Sequence, residues 1–72
     1  MKNQLKMEMR KKAKTISGLV NVLQSDADYI CIDANDFDLV GLGESVREVK
    51  DTVEKLVDTV AELEYALYLA RK

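Results

Sequence analysis

The sequence has no histidine, no proline and only one cysteine, Cys31, among its 72 residues. A lone cysteine cannot form an internal disulfide, and without histidine the usual ligand sets for structural zinc are missing. A chain this short buries too small a fraction of its surface for comfortable stability when it has no such cross-link. We therefore expect one domain, residues 1–72, that is stabilised by pairing with a second copy as a homodimer.

The sequence also lacks the residue combinations on which most enzyme and cofactor sites depend. Cys31 has no imidazole to activate it as a nucleophile. The stretch Gly41–Gly43 is too short for a phosphate-binding loop, because neither glycine-rich consensus is present. We expect no catalysis and no cofactor.

An aspartate-rich stretch, residues 26–38, raises the question of a calcium site. If Asp33 is the first residue of a twelve-residue calcium loop, Glu44 falls at the last position as required. However, Phe37 stands where an oxygen ligand is needed, and Asp38 replaces the required glycine. We therefore expect no metal site.

No apolar run approaches the roughly 18 residues of a membrane span, and the N-terminus MKNQLKMEMRKKAK has no apolar core of the kind found in signal peptides. The composition, 47 % hydrophobic and 33 % charged, is typical of globular proteins. These features predict a cytoplasmic protein, in keeping with a single reduced thiol.

The clearest element is a long C-terminal helix. Ser45 and Glu48 have the spacing of a capping box and follow the glycines of Gly41–Gly43, so the helix is predicted to begin at Ser45. Arg71 and Lys72 lie in the last turn, where positive charge complements the helix dipole.

Apolar residues recur along this helix at alternating spacings of three and four over four heptads. The a positions are Val46, Val53, Val60 and Leu67, and the d positions are Val49, Leu56, Leu63 and Ala70. Branched residues at a with leucine at d favour two-stranded coiled coils. The predicted dimer interface is Val53, Leu56, Val60, Leu63, Tyr65, Leu67 and Tyr68.

An alternative use of this apolar stripe is packing on the predicted sheet of the same chain, as amphipathic helices normally do. The g positions favour this alternative, because small uncharged residues there cannot form the ion pairs that flank a zipper. These residues are Ser45, Thr52, Thr59 and Ala66.

The N-terminal part is predicted to contain three strands and one helix. Alternation of apolar and charged residues indicates a strand over residues 3–12, and a helix capped by Thr15 would end at the turn Ser25–Asp28. Tyr29–Asp33 has the aromatic and β-branched composition of a strand, and a short strand over residues 37–42 would complete a hairpin. The predicted fold is therefore a small α+β domain of order β-α-β-β-α.

A second interpretation of the N-terminal part remains open. Leu5, Met9, Ala13, Ile16, Leu19 and Leu23 also fit helix spacing, and methionine and lysine are good helix formers. In this alternative the segment forms a single helix.

The charge is distributed unevenly along the chain. Residues 1–14 hold six lysines and arginines against Glu8 alone, whereas residues 15–72 are acidic. The predicted protein-binding residues form an acidic face: Asp33, Asp36, Asp38, Glu44, Glu48, Asp51, Glu54, Asp58 and Glu62. The helical carboxylates give about one charge per 5 Å, against about one per 1.7 Å in duplex DNA.

In its size and carboxylate layout, within residues 26–64, the chain resembles the small dimeric DNA-mimic inhibitors that phages make against host DNA-binding proteins. The resemblance implies a non-enzymatic regulator that blocks the nucleic-acid site of a basic partner protein.

Two other functions are open. The first is a dimerisation or adaptor module whose acids serve solubility. The second is a nucleic-acid binder that uses the basic residues Lys2, Lys6, Arg10, Lys11, Lys12 and Lys14. The sequence pI near 5.0 and the absence of aromatic residues in that segment oppose nucleic-acid binding.

Overall fold

The computed structural model describes residues 2–72, with side chains from Asn3 onward, and consists of two helices. Helix α1 runs from Lys2 to Asn35, and helix α2 runs from Leu39 to Arg71. They lie side by side and antiparallel in a rod whose Cα trace measures 53 × 14 × 13 Å. This length is that of one helix of about 34 residues at roughly 1.5 Å per residue. The architecture is therefore an all-α helical hairpin.

The prediction of an α+β fold is wrong, because the described residues contain no strand. The segments predicted as strands, residues 3–12, 29–33 and 37–42, are helical apart from the short turn at 36–38. The alternation around Met7 is short, whereas the spacing of three and four continues along the whole of α1 and outweighs the local β-propensity. The alternative of a single N-terminal helix describes α1, which extends further than that alternative proposed.

Two predicted interruptions of α1 are also wrong. Thr15 does not cap a helix; it lies inside α1, where its hydroxyl donates to the carbonyl of Lys11 at 3.0 Å. Ser25–Asp28 does not form a turn, and Asp26 within it is one of the buried residues. With no proline in the chain, nothing in either segment removes a helical hydrogen bond.

The turn between the helices consists of Asp36, Phe37 and Asp38. The amide of Asp38 donates to the carbonyl of Asp33 at 2.9 Å, and that of Phe37 donates to the carbonyl of Ala34 at 3.2 Å. This pair of bonds is a Schellman motif, which normally has glycine in its left-handed position. Here Phe37 takes that position, with φ of 57° and 79 % of its surface exposed.

Helix α2 begins earlier than predicted. Asp38 is its N-cap and accepts a hydrogen bond from the amide of Gly41 at 3.1 Å. Gly41 and Gly43 are therefore helical rather than helix breakers. Ser45 does not start the helix, and its hydroxyl instead donates to Oδ2 of Asp33 at 3.3 Å. The predicted end is confirmed, since α2 ends at Arg71.

The seam between the helices uses a different pair of heptad positions from the one predicted. The d residues Val49, Leu56 and Leu63 are half-buried, and the g residues Thr52, Thr59 and Ala66 are buried. The g residues are small because they face α1, where small side chains allow two helix backbones to approach closely. The a residues Val46, Val53, Val60 and Leu67 are instead exposed.

Helix α1 contributes a seam that is apolar but interrupted. Its inward residues are Leu5, Met9, Lys12, Ile16, Leu19, Leu23, Asp26, Ile30 and Asp33. Three of these are charged, and Ala66 is the only buried hydrophobic residue in the part of the chain that the structure describes. Asp26 is 7 % exposed, and its Oδ2 meets no hydrogen-bond donor among the described residues. The seam by itself therefore buries little apolar surface.

The glycines provide a test of the helical assignment. A Cβ at Gly18 would meet nothing within 4 Å, whereas a Cβ at Gly41 would lie 2.6 Å from Oδ2 of Asp38 and 3.0 Å from Oδ2 of Asp33. We expect Gly18→Ala to raise the free energy of unfolding by about 0.5–1 kcal/mol, because alanine is the better helix former. Gly41→Ala should give no gain or a loss, because it displaces the capping carboxylate. Urea unfolding followed by circular dichroism at one fixed protein concentration measures both, and equal gains would contradict the assigned cap.

Asp26 provides a test of the seam. We expect Asp26→Leu to raise the free energy of unfolding by roughly 1–3 kcal/mol, because it removes a buried carboxylate with an unpaired oxygen and fills the space with apolar atoms. Asp28→Leu, at an exposed position of the same helix, is the control and should change stability by less than about 0.5 kcal/mol. A loss of stability in Asp26→Leu would show that the carboxylate has a partner in solution.

Candidate functional site

The main unpartnered feature is a row of apolar side chains on α2, which we call the valine row. It consists of Leu39, Val46, Val53, Val60 and Leu67, spaced seven residues apart. A spacing of seven is nearly two helical turns, so these side chains follow one another along one side of the helix. Each is between 38 % and 64 % exposed. A row of branched apolar residues along a whole helix is therefore left open to solvent.

Small residues of α1 lie beside the valine row. Ala13, Val20, Ala27 and Ala34 are also spaced seven residues apart and are exposed. The Lys12–Glu62 ion pair shows which residues of the two helices lie at the same height along the rod. The pair lies on the side of the seam opposite to the valine row. The antiparallel geometry then places Val20 at the level of Val53 and on the same side of the rod. We call the valine row together with these α1 residues the apolar face.

The apolar face extends along one side of the rod. That side measures 53 × 14 Å between Cα atoms, about 740 Å² in all, of which the apolar side chains form a part. Specific protein interfaces bury about 800 Å² on each partner. The side of the rod that carries the apolar face is thus comparable in size with one half of a protein interface.

The nine residues predicted to form an acidic face divide into two groups. Glu44, Glu48, Asp51, Glu54 and Asp58 are exposed. Four of them lie on the side of α2 away from the valine row, and Glu54 lies on the flank, about 100° around the helix from Val53. We call these five the acidic row. Three of the others have partners within the chain, and Asp36 lies in the turn. Asp33 accepts from Ser45, Asp38 caps α2, and Glu62 pairs with Lys12.

The pair of Lys12 and Glu62 is the only ion pair between the helices among residues 3–72. Nζ of Lys12 lies 2.7 Å from Oε2 of Glu62. This hydrogen bond, together with the charges of Glu62 and Glu8, raises the pKa of the Lys12 ammonium above its usual value. Both ends of the pair are accessible to water, so it adds little to the stability of the hairpin.

The predicted dimer residues occupy three different surfaces. Val53, Val60 and Leu67 lie on the apolar face, whereas Leu56 and Leu63 face α1 in the seam. Tyr65 and Tyr68 lie on the outer side of α2, with stacked rings 6.4 Å apart. The Nζ of Lys72 lies 5.7 Å from the ring centroid of Tyr68.

Sequence reasoning missed part of the apolar face. Leu39 and Val46 were not among the predicted contacts, nor were the four residues of α1. Their signal is the seven-residue spacing of Ala13, Val20, Ala27 and Ala34, which becomes visible once α1 is read as one continuous helix.

The basic segment is part of α1. Lys6, Arg10, Lys11 and Lys14 are exposed on this helix, whereas Lys12 pairs with Glu62, and the side chain of Lys2 lies outside the described part. Cys31 is exposed.

A cluster of metal-ligating side chains and a membrane-spanning helix are both absent from residues 2–72. No group of three or more histidine, cysteine, aspartate or glutamate side chains is arranged to hold a metal ion in this part. Neither of the two helices described there is both long and apolar enough to cross a membrane.

No protein-family model, characterised protein or solved structure matches this chain. The apolar face and the acidic row are the two most extensive surface features of the molecule.

Proposed function

We propose that this chain is a non-enzymatic protein-binding regulator that pairs with a second copy through its apolar face. The observation that carries the proposal is the valine row, five branched apolar residues that are at least 38 % exposed along the whole of α2. A second copy is the simplest partner, because it brings an identical apolar face of the same length and can bury both faces at once.

The weakness of the intrachain seam supports this proposal. Lys12, Asp26 and Asp33 take inward positions of α1, and an isolated two-helix rod of this size has no further core. Packing two hairpins face to face makes a four-helix bundle, in which helices of this length bury two apolar rows rather than one. The same arrangement explains why both the d row and the a row of α2 are apolar.

The acidic row supports the second half of the proposal, a basic partner protein. The five carboxylates are exposed and lie opposite to the apolar face or on its flank, so pairing leaves them free. The form of regulation that fits best is an acidic decoy that occupies the nucleic-acid site of a basic DNA-binding protein, as in the phage DNA-mimic inhibitors. Cytoplasmic location is part of this proposal and accords with the exposed thiol of Cys31.

A plain adaptor module is the second candidate. It rests on the same apolar face, with the acidic row serving only solubility. The two candidates differ in whether the carboxylates bind a partner, which the second of the following experiments measures.

Pairing is tested by placing a charge in the middle of the valine row. We expect Val53→Asp to weaken self-association at least 100-fold in sedimentation velocity, because a carboxylate would be buried without a partner. Val22→Asp is the control, since Val22 is 44 % exposed against 39 % for Val53 but lies on the other flank of α1. Circular dichroism checks that both variants stay helical. A wild-type chain that sediments as a monomer at micromolar concentration would refute the pairing.

The decoy function is tested by displacement of a basic nucleoid-type protein from labelled duplex DNA. We expect the wild-type chain to displace it, and Glu48→Lys/Asp51→Lys/Asp58→Lys to lose displacement at least 10-fold while remaining dimeric. The control with the same change in net charge is Glu8→Lys/Asp28→Lys/Glu64→Lys, at exposed positions outside the acidic row. Equal losses of displacement in the two variants would show that the net charge of the chain, and not the acidic row, is responsible. Absence of displacement by the wild type would leave the adaptor function, and direct binding of the chain to DNA would favour the basic segment.

A further inference from the structure

The hairpin is electrically polarised along its length. The half that contains the open end, residues 2–18 and 57–72, has eight basic and four acidic residues, a formal charge of +4. The half that contains the turn, residues 19–56, has three basic and nine acidic residues, a formal charge of −6. At the turn end both helices carry net negative charge, whereas at the open end the positive charge comes from α1, because residues 57–72 of α2 carry a formal charge of −1.

This distribution does not stabilise the hairpin itself. Helix α1 has no acidic residue in its first turn and no basic residue in its last turn. Its lysines lie toward the positive end of the helix dipole and its aspartates toward the negative end, which is unfavourable at both ends. At the turn, the aspartates of α1 also lie close to the first carboxylates of α2. The polarisation therefore needs an explanation outside the single chain.

Two hairpins can bring their apolar faces together about a twofold axis in two ways. If the rods are parallel, the turn ends meet and a charge of −6 lies beside another of −6. If the rods are antiparallel, the −6 half of each copy lies along the +4 half of the other. In a bundle only two helices deep, the distances between charges of the two copies are comparable to the Debye length of about 8–10 Å. The difference in electrostatic energy between the two arrangements is therefore not fully screened at physiological salt.

We propose that two copies pack antiparallel, with α2 against α2, so that the two acidic rows lie on one side of the dimer and form a composite acidic surface. This inference rests on the proposed pairing through the apolar face. Its ligand is the basic surface of a nucleic-acid-binding protein.

The helix pairing follows from the twofold axis. An antiparallel arrangement with the apolar faces in contact has its axis across the rods, near Val20 and Val53, and stacks each helix on its own copy. A parallel arrangement has its axis along the rods and stacks α2 on α1. Only the antiparallel dimer therefore presents both α2 helices, and both acidic rows, on the same side.

The composite surface brings together the carboxylates of both copies, with Arg47, Lys50 and Lys55 of each copy lying within the same stretch of α2. The acidic row extends from nine residues on one side of Val53, at Glu44, to five on the other, at Asp58. Two antiparallel copies then place ten carboxylates within about 27 Å, or about one per 2.7 Å at the roughly 1.5 Å rise of a helix. Duplex DNA has about one charge per 1.7 Å. One chain alone has five carboxylates over about 21 Å, or about one per 4.2 Å.

The native cysteine allows the orientation to be measured. A spin label on Cys31, which is exposed, lies eleven residues from Val20 toward the turn. The antiparallel dimer predicts a separation of about 33 Å between the two labels, and the parallel dimer predicts about 20 Å across the bundle. Double electron–electron resonance on the full chain at a concentration where it is dimeric distinguishes these values.

A second label position makes the measurement independent of label geometry. Moving the label to Asn35→Cys in a Cys31→Ser background shifts it four residues toward the turn. The antiparallel dimer predicts an increase of about 12 Å, to about 45 Å, whereas the parallel dimer predicts no increase. Absence of any dipolar coupling, with sedimentation as a monomer, would refute the pairing itself. A dimer with equal short distances at both positions would refute only the antiparallel orientation.

A cross-link tests which helices meet. Val53→Cys in the Cys31→Ser background should oxidise to a covalent dimer, because the twofold axis passes beside this position. The same substitution at Val22, on the other flank, should not form the cross-link. If Val53→Cys cross-links only when mixed with a Val20→Cys chain, α2 packs on α1 and the composite acidic surface does not exist.

Discussion

The property on which the rest of the structure depends is the thin apolar seam between α1 and α2. Its α2 side is built from small residues such as Thr52 and Thr59, and its α1 side is interrupted by Lys12 and Asp26. Two helices can approach closely along such a seam, but they bury little apolar surface. Because a hairpin with this seam alone buries little apolar surface, we propose that the second apolar row of α2 is covered by the helices of a second copy.

The apolar face and the charged residues are arranged so that each can be used without blocking the other. The valine row lies on one side of α2 and most of the acidic row on the other, so that the proposed pairing and the proposed partner binding use separate surfaces of the same helix. The polarisation along the rod, unfavourable within one chain, would be favourable between the two antiparallel copies that we propose. In the proposed function the hairpin is a straight scaffold, and its activity depends on what binds to the apolar face and to the acidic row.

The errors of sequence reasoning have identifiable causes. Tyr29–Asp33 has the composition of a strand and forms part of a helix, since the apolar positions Leu23 and Ile30 continue the helical spacing on either side. Ser45 and Glu48 have the spacing of a capping box, yet the cap is Asp38, because Gly41 has no side chain to displace the capping carboxylate. The acidic row could be read from helical periodicity alone. The apolar face could not, because it needs both helices.

The amino-acid sequence by itself determined that α2 is a long amphipathic helix ending at Arg71, that apolar residues recur on it at two adjacent heptad positions, and that the chain is basic at its start and acidic thereafter. Only the tertiary structure decided which apolar row faces α1 and which stays open. The reason is that the a and d rows of α2 are both apolar, so hydrophobicity alone does not decide which of them is buried. That depends on the shape of the surface of α1 against which α2 packs. Small residues at Thr52, Thr59 and Ala66 fit that surface closely, so the branched side chains at Val46, Val53 and Val60 remain outside.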